Sequence, residues 1–109
     1  MNDGHEHYAG ASEIGLADYT FQAHKATFAC QHVMAGKPVL SVFHEMDGDL
    51  QFLCGTPDHD DEKPILICLH CVTERHPDLL ALPTVDFGMV AWRKNADAPW
   101  TVAISEPNA

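Results

Sequence analysis

The clearest alternation of apolar and polar positions begins at Pro38. Val39-Leu40-Ser41-Val42-Phe43-His44-Glu45 is β-branched and aromatic, and Leu50-Gln51-Phe52-Leu53-Cys54 follows after Asp47-Gly48, a dipeptide that tolerates positive φ. Together they read as a β-hairpin. With Asp47 and Gly48 as a two-residue loop, Phe43 pairs with Phe52 and Ser41 with Cys54. Val39, Phe43, Leu50 and Phe52 then share the core-facing side, while Leu40, Val42 and Leu53 join His44 and Gln51 on a mixed one.

Gly55 ends the second strand, and the acidic stretch Thr56 to Pro64 reads as an exposed loop. The next run is ambiguous: Ile65-Leu66-Ile67 has strand character, whereas Leu69, Val72 and His76 have helical spacing. A helix over Ile67–Arg75 is expected. Pro77 then opens a second helical turn that Pro83 stops, giving a bent helical segment laid across the hairpin. Gly88–Arg93 reads as a third strand, and Trp100–Ile104 as a fourth after a turn ending at Pro99. The order β-β-α-β-β predicts an α+β fold, an antiparallel sheet of about four strands with the bent helical segment on one face. The expected core is Val39, Phe43, Phe52, Leu69, Val72, Leu79, Leu82, Val90 and Trp92. Residues 1–24 have no sustained period and read as a flexible arm with one helical turn around Ser12–Tyr19, leaving 25–109 as a single α+β domain.

Length and charge narrow the function. A chain of 109 residues can bury a core without disulfides or a metal. Sixteen acids against six bases give a net charge of −10, which repels a phosphate backbone and an anionic membrane alike. Neither nucleic acid nor membrane is an expected partner, and a basic protein is. The longest apolar runs are too short to span a bilayer, and the N-terminus lacks the basic start and apolar stretch of a secretory signal, so a cytoplasmic location is expected. A reducing compartment leaves Cys30, Cys54, Cys68 and Cys71 as thiols or metal ligands.

Three constellations could carry chemistry. Cys30, His32, Cys54 and His70, or Cys71, supply soft and borderline donors for zinc, with Cys30-Gln31-His32 placing two of them on one side of an extended segment. Buried thiols acting as small apolar groups are the structural alternative. Cys68-Leu69-His70-Cys71 is a C-x-x-C at a probable helix start, the arrangement of a redox dithiol, although too little chain follows for a thioredoxin-like fold. The carboxylates Asp58, Asp60, Asp61 and Glu62 lack the ligand alternation and central Gly of a calcium loop. With Trp100 they suit an acidic, aromatic surface for a basic partner. No nucleophile elbow, phosphate loop, dinucleotide fingerprint or His-Glu-x-x-His pattern occurs, so no enzyme activity is expected and no cofactor beyond the zinc alternative.

Ala29-Cys30-Gln31-His32-Val33, Pro38-Val39-Leu40, Asp47 to Gly55, Pro77-Asp78-Leu79 and Ala91-Trp92-Arg93 with Trp100 follow one another in an order that resembles small bacterial domains related to the immunity proteins of polymorphic toxin systems. The chain has Leu50 where that pattern usually has Trp, and His76-Pro77 where it has Asp-Pro. The resemblance implies a non-catalytic α+β domain that binds a protein, as a toxin antidote does, by occluding its surface. The expected function is therefore immunity-like protein binding, as a monomer or weak homodimer. The alternatives are a structural zinc domain and, third, a thiol redox protein.

Overall fold

The computed structural model describes residues 13–55 and 64–105. Eight short strands are interleaved with two helices and a 3-10 turn: β1 (Glu13–Leu16), β2 (Tyr19–Gln22), β3 (Ala26–Ala29), α1 (Gln31–Met34), β4 (Ser41–His44), β5 (Leu50–Leu53), β6 (Ile65–Cys68), α2 (Leu69–Arg75), the 3-10 turn Pro77–Ala81, β7 (Met89–Trp92) and β8 (Thr101–Ile104). The protein is α+β, and its main sheet is larger than the sequence predicts. Six strands run in the order β6-β3-β5-β4-β7-β8, with β1 and β2 forming a separate pair. β3 lies parallel to β5, and every other neighbouring pair is antiparallel. β3 escaped the sequence reading because Ala26–Ala29 has almost no apolar alternation, and β6 because Ile65–Cys68 runs straight into α2.

The β4–β5 hairpin exists, but its register is one residue from the expected one. His44 faces Leu50 and Val42 faces Phe52, so the loop has three residues between Glu45 and Asp49 instead of two. The Gly48 N–H donates to the Glu45 carbonyl at 2.9 Å, closing a turn, and Gly48 then takes φ +95°, the left-handed residue that a three-residue loop requires. Because side chains alternate with period two, a slip of one exchanges the faces. Val42, His44, Leu50 and Phe52 are the buried set, and Phe43 lies partly buried on the other side. The same register carries into β7: Ala91 pairs with Val42 and is buried, so Val90 is only partly buried and Trp92 is 44% exposed, contrary to the expected core.

Leu69 and Val72 of α2, Leu79 of the 3-10 turn, Leu82 and Val85 pack with Val33, Val39 and this buried face. The predicted bent helical segment is present with a later start, since Ile65–Cys68 is strand. The bend falls at His76, whose φ of −130° and ψ of 73° are what a residue before proline favours over helix. The opposite face carries Leu66, Phe28, Gln51, Phe43, Val90 and Ala103 in one row across all six strands.

Where a helical turn around Ser12–Tyr19 is predicted, Glu13–Gln22 is a β-hairpin, with Ala17 and Asp18 at positive φ in its turn. Leu16 and Ala17 are buried in the same core as the sheet. The Tyr19 ring packs edge-on against buried His44 at 5.0 Å, and its hydroxyl donates to Asp86 at 2.8 Å. His44 in turn donates from Nδ1 to the Val85 carbonyl at 2.7 Å. Among the described residues no helix is long and apolar enough to cross a membrane.

Candidate metal centre

The parallel pairing of β3 with β5 decides which distant residues meet. Ala29 lies beside Phe52, and the Cys30 N–H continues the ladder by donating to the Phe52 carbonyl at 3.2 Å. Both chains therefore leave the sheet at the same end, Cys30 directly after β3 and Cys54 directly after β5. An antiparallel arrangement would have sent them to opposite ends. Gly55, at φ +75°, turns the chain away immediately after Cys54.

Cys30 caps α1 in an extended conformation, and the helix begins at Gln31, so His32 comes round on a helical turn instead of the expected extended segment. Val33 in the same turn is fully buried and anchors α1 to the core. A second anchor is His76, whose Nε2 lies 2.6 Å from the Val33 carbonyl in a buried contact, so the end of α2 holds the turn that presents His32.

The result is a three-donor cluster. Cys30 Sγ, Cys54 Sγ and a ring nitrogen of His32 all lie within 4.8 Å of one another, with both cysteines buried and His32 partly so. In a tetrahedral zinc site with Zn–S of about 2.3 Å and Zn–N of about 2.0 Å, neighbouring donors sit roughly 3.5–3.8 Å apart. The 4.8 Å limit exceeds that spacing by about 1 Å. Two thiols and an imidazole are the soft and borderline donors that zinc takes, and they are a poor match for calcium or magnesium.

Burial pushes the Cys30 thiol up, and the adjoining Cys54 sulfur adds to the shift. The Val33 and Cys54 N–H groups lie close enough to oppose it, although the Val33 N–H is itself committed to the Cys30 carbonyl at 3.1 Å, so burial prevails. Without a metal this sulfur keeps its proton at neutral pH, and a divalent cation must displace it.

Of the zinc ligands the sequence nominated, Cys30, His32 and Cys54 come together and His70 does not. His70 sits on α2 with its Nε2 3.7 Å from the Glu74 carboxylate. Cys71 pairs instead with Cys68. Asp58, Asp60, Asp61 and Glu62 lie outside the described residues. Trp100 is partly buried under Arg93, whose guanidinium lies 4.2 Å from the ring centroid. Sequence reasoning missed Arg93. It is buried, donating from Nε to the Val39 carbonyl, from Nη1 to the Ala96 carbonyl and from Nη2 to Asp78 at 2.6 Å. Its place directly after a strand of small and apolar residues gave no signal for this.

Comparison with protein-family models, with curated proteins and with solved structures finds no match to this chain.

Proposed function

We propose that this protein is a small non-catalytic binding domain with a zinc site formed by Cys30, His32 and Cys54. The observation that carries this reading is the convergence of two sulfurs and one imidazole nitrogen within 4.8 Å at the shared exit of two parallel strands. Zinc there would tie β3, α1 and β5 together and add its binding energy to the stability of the fold.

Elemental analysis of the purified, untagged chain tests it, with cobalt substitution as a second readout. One zinc per chain is expected, together with a thiolate-to-cobalt charge-transfer band that Cys54→Ser weakens and Cys68→Ser leaves intact. A chain without metal, or a band that follows Cys68 instead of Cys54, would overturn the assignment. Far-UV circular dichroism of each variant separates loss of the site from loss of the fold.

A second reading, immunity-like binding of a basic protein, is favoured by one observation. The sheet face opposite the helices leaves Leu66 66% and Trp92 44% exposed on a chain of charge −10. An exposed aromatic within an acidic field suits a basic partner, such as a nuclease-like toxin, that is steered in by charge. Its binding should weaken steeply with added salt. Salt-independent binding, or none, would remove this reading and leave the metal site untouched.

A further inference from the structure

Cys68 and Cys71 belong to neither reading. Cys68 is the last residue of β6 and Cys71 lies in the first turn of α2, and their sulfurs are 2.9 Å apart. A disulfide has a sulfur separation of about 2.05 Å, so bond formation needs an approach of just under 1 Å, within reach of side-chain rotation. Cys68 caps the helix and Cys71 lies in its first turn, so the i, i+3 spacing puts the two side chains on one face. Cys30 and Cys54 are buried, whereas Cys68 and Cys71 are both partly exposed, so a dissolved reagent reaches this pair more readily.

An open cleft of about 500 Å³ adjoins the pair, lined by Met34, Ile67, Cys71, Glu74 and Arg75. Its lining pairs apolar surface with one carboxylate and one guanidinium. That combination complements a small molecule with an aliphatic body and both charges, as in amino-acid and peptide disulfides. We propose that Cys68 and Cys71 form a thiol–disulfide exchange site that takes a small zwitterionic disulfide in this cleft and is oxidised to an intrachain disulfide.

Burial, the contact with Cys68 and the nearby Glu74 push the Cys71 thiol up to about 11, and at 2.9 Å either sulfur can donate its S–H to the other. One of the two sulfurs gives up its proton to solvent and attacks one sulfur of the disulfide RSSR. The S–S bond of RSSR breaks, RS⁻ leaves and takes a proton, and a mixed disulfide remains on that cysteine. The other cysteine then loses its proton and attacks that sulfur, expelling the second RS⁻, which takes a proton. The sum is two protein thiols and RSSR converted to one protein disulfide and two RSH: the protein is oxidised by two electrons and the small disulfide reduced.

The test uses the reduced full chain in a series of glutathione and glutathione-disulfide mixtures, quenched with acid, alkylated and read by mass spectrometry with peptide mapping. The wild type is expected to lose two hydrogens between Cys68 and Cys71 and to release two glutathiones per chain. Cys71→Ser is expected to trap a glutathione adduct on Cys68, and Cys68→Ser one on Cys71. Thiols at both positions across the whole series, a bridge confined to Cys30 and Cys54, or no adduct on either single variant would overturn the proposal. Because Cys30, His32 and Cys54 take no part in the expected reaction, a bridge between Cys68 and Cys71 leaves the zinc assignment untouched.

Discussion

If Cys30 and Cys54 bind zinc as thiolates, affinity must depend on pH with a slope fixed by the ligand set. Burial holds the Cys30 proton more tightly than usual, and the ion displaces one proton from each sulfur. Release of two protons makes apparent affinity rise about hundredfold per pH unit near neutrality, equivalent to about 2.7 kcal/mol. At a fixed free-zinc concentration well above the dissociation constant, the gain appears directly as folding stability. For a domain of this order it raises the midpoint of thermal unfolding by roughly 11–22 °C per pH unit, at about 4–8 °C per kcal/mol. The assay is calorimetric melting in a zinc buffer at two pH values one unit apart, with the zinc-free protein as baseline. A zinc-dependent shift that is the same at both values would refute thiolate ligation, and half the expected slope would mean that one sulfur binds.

Other outcomes follow from the packing. Arg93→Met should cost about 2–4 kcal/mol in urea unfolding, because the Val39 carbonyl loses its buried donor and the Trp100 ring its guanidinium, while the half-exposed Asp78 partner contributes little. Phe52→Ala should cost about 3–5 kcal/mol and Phe43→Ala markedly less, since only Phe52 is fully buried; equal losses would contradict the observed hairpin register. Stability of the reduced protein should fall as pH rises from the ordinary thiol value of 9.0 toward about 11, because the unfolded chain gives up the Cys71 proton before the folded one does. Urea unfolding across that range checks this, with a shallower fall expected for Cys71→Ser.

Local pattern alone determined much of the scaffold. The β4–β5 hairpin, the helical stretch broken before Pro77 and the two final strands were legible because alternation, helical spacing and the breakers Gly48, Pro77 and Pro83 act on neighbouring residues. Loop length within the hairpin was not legible, since Asp47-Gly48 serves two-residue and three-residue loops alike, and that single residue decided which of Phe43 and Val42 enters the core. The donors Cys30, His32 and Cys54 could be nominated from their chemistry, but their meeting depends on the parallel pairing of β3 with β5, a contact between segments far apart in the chain. His70 fell away for the same reason, since α2 carries it to Glu74. Residue type sets what a side chain can do, and strand order sets which side chains share a site.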